Sequence, residues 1–181
     1  LAAMTILRSA PPTPDNLTFD YFGIVLSMSS GREAMLRSLL LGAIGATVAV
    51  LVALAVTLLT TRRRRPVARI VDFLAVAPDT VPGIVLAIGF ILLWNSPNLP
   101  WSPYGTQLIL VMAFTVLFTP MAVQNIKTSA TAVSPTIYEA AKVSGAKGHQ
   151  TFFRITLPLL APGIAAGWIL ALSLIHISEP T

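Results

Sequence analysis

SLLLGAIGATVAVLVALAVTLLTTRRRR, Ser38 to Arg65, decides the fold class. No charged residue occurs from Ser38 to Thr61, and four arginines follow at once. About 20 apolar residues suffice to cross the hydrocarbon core of a bilayer. Residues 38–61 are therefore expected to form a transmembrane helix. Gly45, Ala49 and Ala53 recur every fourth residue and share one helical face. Small residues on one face let a second helix approach closely. The plain alternative is that Ala and Gly are common in spans. Arg62–Arg65 could hold nucleic acid or acidic lipid, but after a span they read first as a cytoplasmic anchor.

The rest of the chain agrees with a membrane class. Of 181 residues, 55% are hydrophobic and 10% charged. Soluble domains carry roughly a quarter charged residues. There is no cysteine, which excludes disulfides, thiolate metal ligation and thiol catalysis within this sequence. The net charge of +5 is less informative than where the basic residues lie.

Residues 1–35 read as a loop segment without a span, with Pro11, Pro12 and Pro14 as breakers. They are expected to be periplasmic and to follow a missing upstream part. The next apolar run is IVDFLAVAPDTVPGIVLAIGFILLW, residues 70–94. Pro78, Pro82 and Gly83 interrupt it, so a kink or break is expected, with a short interfacial helix before the span proper. Asp79 lies in that break. An acid at membrane depth is a functional candidate on a solute path. The favoured alternative is that it caps the helix that follows. Residues 95–105 are turn-rich and flanked by Trp94, Trp101 and Tyr104, which suit a membrane interface. Residues 106–126 form a third span, with Pro120 near its end. A fourth begins near 157–173 and carries Gly163 and Gly167 as a GxxxG pair. The tail 173–181, SLIHISEPT, is expected to be truncated or non-native, and His176 and Glu179 are given no role.

Five basic residues lie between Arg62 and Arg69, and four between Lys127 and Arg154. Two spans separate these groups, so both fall on one side, which the positive-inside rule makes cytoplasmic. Residues 127–156 are then a cytoplasmic loop. Ser134-Pro135 is a helix start, with Ser as N-cap and Pro at the first helical position. The helix reads PTIYEAAKVS, and Gly145 stands where a left-handed C-cap belongs. About ten residues are too few for a helix stable alone in water, so a docking surface is expected. Ile137, Ala140, Ala141 and Ser144 would form its narrow apolar face. Gly145 and Gly148 would allow a sharp change of direction, His149–Arg154 would form a second short helix, and Pro158 would mark the return to the bilayer. His149 reads as a solvated side chain rather than a metal ligand.

From Glu139 the loop runs E-A-A, three residues, Gly145, nine residues, Ile155, one residue, Leu157-Pro158. This pattern resembles the EAA motif of permease subunits of binding-protein-dependent ABC importers. The likeness extends over residues 36–170, through APDTVPGIVLAIG and LPLLAPGIAAG. Those segments are similar to the ferric-iron, thiamine, phosphonate and polyamine branch. The resemblance implies an all-α, polytopic transmembrane helix bundle of the type I importer kind, here incomplete, with its domain over residues 36–175. It implies that Glu139, Ala140, Ala141, Gly145, Ile155, Leu157 and Pro158 belong to a loop docking a cytoplasmic ABC ATPase subunit. It also implies a second permease domain, fused or separate, a periplasmic solute-binding protein and a multi-pass place in a bacterial inner membrane. The solute would be ferric iron or another small solute.

The sequence holds no phosphate-binding loop and no paired carboxylates in a span. Neither catalysis, a metal site, a cofactor nor nucleic-acid binding is expected of it. An ion-coupled secondary transporter is the alternative class, for which Asp79 and the Pro-Gly break are one match. Co-purification of an ATPase separates the two.

Overall fold

The computed structural model describes residues 23–24, 27–62 and 66–177. Residues 1–22 and 25–26 of the loop expected over residues 1–35, Arg63–Arg65 and the tail residues 178–181, with Glu179, lie outside the described residues. Among the described residues every regular element is helical. They are α1 (Ser29–Arg62), α2 (Pro66–Val76), a 3-10 turn (Ala77–Thr80), α3 (Gly83–Trp94) and α4 (Leu108–Thr131). Then come α5 (Pro135–Val143), α6 (Gly148–Thr151), a π-helical turn (Phe152–Thr156) and α7 (Leu157–Ile177). The chain is an all-α transmembrane bundle, and among the described residues three helices are long and apolar enough to cross a bilayer.

Contacts divide the chain into two units, Leu1–Leu40 and Leu41–Thr181. In the described part of the first unit, Arg37 pairs with Glu33 one turn back at 3.6 Å. Both side chains are well exposed, so the pair adds little stability. α1 begins at Ser29, ahead of the uncharged run, so residues 29–35 are helical rather than loop. A helix ends where its backbone loses hydrogen bonds, whereas a span ends where charge begins.

In the second unit, α1, α4 and α7 form the core. Gly45 lies against Phe114, where an added Cβ would stand 2.9 Å from the phenylalanine Cβ. Ala46 and Ala49 cluster with Phe118 and Ala171. Val50, Ala53 and Val56 cluster with Ala122, Val123, Ile126 and Leu160. The small-residue face of α1 thus packs along α4. Rising numbers meet rising numbers, so α1 and α4 run parallel. α7 runs the other way: Gly163 meets Asn125, Ile126 and Ser129, and Gly167 meets Ala122. Its GxxxG pair is the contact surface, as the spacing predicts.

Two parallel neighbours require the chain between them to return across the bundle. The returning segment is α2, the 3-10 turn and α3. It is bent by 111°, so residues 70–94 are no single straight span. Pro78 and Pro82 cause the break, each lacking a backbone N–H for the turn before it. Val81 is extended (φ −103°, ψ 128°) and so is Pro82 (φ −53°, ψ 135°). α3 has 12 residues, or about 18 Å of helix. At the far end, Trp94 and Trp101 meet edge to face at 6.0 Å, and Ser102 Oγ donates to the Trp94 carbonyl.

The last span starts earlier than its apolar run suggests. Residues Gly148–Ser173 form one helical path, and α7 continues to Ile177. Pro158 therefore lies inside a helix rather than at its start. A proline there cannot donate to the Arg154 carbonyl. The preceding turn widens instead, and the Leu157 N–H reaches the Phe152 carbonyl five residues back. α4 also runs on to Thr131, which shortens the loop expected over residues 127–156 to residues 132–147.

Candidate functional site

The candidate site is the end of the bundle where α1 and α4 both finish. Ser134 caps α5: its Oγ accepts from the Thr136 N–H at 3.4 Å, and Pro135 takes the first position. At the other end Gly145 has φ +75°. Its N–H reaches the Lys142 carbonyl at 3.1 Å, and the Ala146 N–H reaches the Ala141 carbonyl at 3.0 Å. These two bonds make a Schellman motif, which requires a left-handed residue at Gly145. α6 is fixed in turn by Gln150, whose Oε1 accepts from the Lys147 N–H at 2.9 Å. Gly148 is the first residue of that helix.

The capped helix faces the bundle across a cavity. Tyr138, Lys142, Pro135 and Ala146 line a cavity of about 750 Å³ with Thr57 and Thr61 of α1, Ala130 of α4 and Thr156 ahead of α7. Ala141 is 8% exposed. Of the expected docking face, Ala141 turns inward, whereas Ile137, Ala140 and Ser144 are exposed. Thr136, Glu139, Ala140 and Val143, at spacings of three and four, point away. Val143 is 89% exposed, an isolated apolar side chain on a polar turn. Sequence reading missed it because spacing shows which residues share a face, not which way that face turns.

The other expected positions separate. Glu139 and Ala140 are exposed on α5, whereas Ile155 and Leu157 are half-buried along the last helical path and Pro158 is exposed. His149 is exposed. Among the described residues no three His, Asp or Glu side chains converge as a metal site would need. Asp79 is exposed in the 3-10 turn. The expectation that it caps α3 is corrected: the N-cap is Pro82, and no side chain caps that helix. The extended residues Val81 and Pro82 carry the helix start past the reach of Asp79. A further pair was not foreseen. Lys127 of α4 donates to Asp72 Oδ1 of α2, across 55 positions of sequence.

Gly145→Val tests the C-cap. A β-branched residue at positive φ costs about 1–2 kcal/mol. α5 should fray at that end while the bundle persists. Amide exchange at Gly145 and Ala146, whose N–H groups close the motif, should quicken in the variant. Unchanged exchange there would contradict the cap.

Residues 45–178 match the family of binding-protein-dependent transport system inner membrane components. A probable ABC transporter permease, y4fN of Sinorhizobium fredii, is 26% identical over 152 residues, 82% of this chain and 27% of its own length. The Fe(3+)-transport system permease protein FbpB 2 of Haemophilus influenzae is 28% identical over 138 residues, 76% of this chain and 27% of its own. The putrescine transport system permease protein PotI of Escherichia coli is 31% identical over 99 residues, 55% of this chain and 34% of its own. The chain thus spans about a third or less of the length of these relatives.

Proposed function

The chain belongs to the binding-protein-dependent transport system inner membrane components, and from that premise we propose that it is part of the permease of an ATP-driven solute importer. The observation that supports this most is the doubly capped helix Pro135–Val143, preformed at one end of the bundle with Glu139, Ala140 and Val143 turned outward. A short amphipathic helix held in shape before binding loses little entropy on docking. Its partner is a cytoplasmic ABC ATPase subunit, which carries out the ATP hydrolysis. α1, the bent α2–α3 pair, α4 and α7 then form one wall of the path, completed by a second permease domain. A periplasmic binding protein delivers the solute at the Trp94–Trp101 end. Ferric iron or another small solute fits the names of the relatives. Exposed Asp79, at the break in the crossing, is the candidate path residue.

The orientation is directly testable in an inner membrane. The chain has no cysteine, so single cysteines report cleanly. An impermeant thiol reagent applied to intact cells should label Trp101→Cys and leave Lys142→Cys unlabelled until the membrane is opened. Solubilised permease should also carry an ATPase subunit that binds ATP. The opposite labelling pattern would overturn the orientation and with it the docking role.

A further inference from the structure

We propose that Asp72 and Lys127 are positioning residues that tie the broken crossing to the helix carrying the docking loop. The proposal rests on the docking reading above. Lys127 lies one turn before α4 ends at Thr131, and the capped helix starts soon after at Pro135. Asp72 lies in α2, just ahead of the 3-10 turn at Ala77–Thr80. Their side chains are only 27% and 38% exposed. The surroundings are apolar: Val71, Ala75 and Val76 pack on the cluster that holds Ile126. A half-buried charge in such a place costs energy when its partner is removed, so the two move together.

Packing loosens beyond the pair. A cavity of about 340 Å³ is lined by Val71, Leu74, Ala75 and Pro78, by Thr115, Val116 and Thr119 of α4 and by Val52 and Val56 of α1. The segment is therefore held by charge and by the packing of Val71, Ala75 and Val76, with free volume beside Leu74 and Pro78. Movement of the Lys127 end of α4 passes to α2 through the pair. The free volume beside Pro78 gives the Pro78–Pro82 break room to shift while Val71, Ala75 and Val76 stay packed. Coupling of the two sites through the pair requires that this segment take up a second arrangement, which the test below looks for.

The test uses the assembled permease–ATPase complex with paired nitroxide labels. One pair, Asp79→Cys with Leu117→Cys, reports the break. The other, Lys147→Cys with Leu117→Cys, reports the loop. Distances are measured without nucleotide and with ATP and vanadate. In the parent both distances should change on nucleotide binding. Asp72→Asn should keep the loop change and lose most of the change at the break. Lys127→Arg should retain both, and the exchange D72K with K127D should recover both. A full change at the break in Asp72→Asn, or none in the parent, would overturn the proposal. If Asp72→Asn does not accumulate, the exchanged pair decides: accumulation without recovery at the break also overturns it. Failure of the docking reading would appear separately, as a parent permease that binds no ATPase.

Discussion

Gly163→Ala should unfold the bundle at a markedly lower temperature than the parent, and Gly163→Leu should prevent its accumulation in the membrane. An added Cβ at residue 163 would stand 2.5 Å from Ser129 Oγ, 2.6 Å from the Asn125 carbonyl oxygen and 3.0 Å from the Ile126 Cα. Two of those three atoms belong to the α4 backbone, which cannot turn aside as a side-chain tip can. Overpacking of a well-filled contact costs about 1–3 kcal/mol and occasionally more. Gly167→Ala should cost less, since its nearest neighbour is the Ala122 Cα at 3.2 Å. Gly89→Ala is the control, with nothing within 4 Å of its added Cβ. It should leave stability unchanged or slightly raised, because alanine favours a helix. Thermal unfolding in detergent checks the order 163, then 167, then 89. Equal midpoints for all three would contradict the α4–α7 contact.

Val143→Glu should cut recovery of the ATPase subunit at least about tenfold, with the permease itself as abundant and as stable as the parent. Val143 is almost fully exposed on α5, so the change breaks no contact within the chain. A central apolar anchor in a binding groove is worth about 2 kcal/mol or more when lost, which is a factor of at least ten in affinity. Placing a carboxylate there adds the cost of burying an unpaired charge. Glu139→Ala, on the same face, should weaken recovery less. Ala141→Ser should act through folding instead, since Ala141 faces the bundle. Permease abundance measured beside ATPase recovery separates the two effects. Full recovery with Val143→Glu would remove α5 from the docking surface.

Much of this fold was legible in the sequence, because membrane helices announce themselves through local composition. Long uncharged runs, Gly45-Ala49-Ala53, Gly163-Gly167 and the Pro78–Pro82 break each carry their physics within a few residues. The Ser134–Gly145 helix was equally plain, since capping chemistry is local. What escaped depended on tertiary packing or on helix continuity. Ser29–Arg37 is helical although charged, because hydrophobicity marks the bilayer and not the hydrogen-bond ladder. The π-helical turn at Phe152–Thr156 lets one helix run past Pro158, where the proline suggested a start. The Asp72–Lys127 pair joins residues with no sequence relation. That Ala141 is buried while Val143 stands exposed depends on where the bundle lies, and spacing alone does not reveal it. Asp79 missed its capping role because two extended residues intervene.

Site-specific photocrosslinking from the docking helix shows which subunit it touches. A photoreactive residue is placed at Val143 and, separately, at Tyr104 near the opposite end of the crossing. Membranes containing the whole transporter are then irradiated. The account predicts that position 143 captures the ATPase subunit, that position 104 does not, and that ATP with vanadate alters the yield at 143. Capture of the ATPase from position 104, with none from 143, would contradict it.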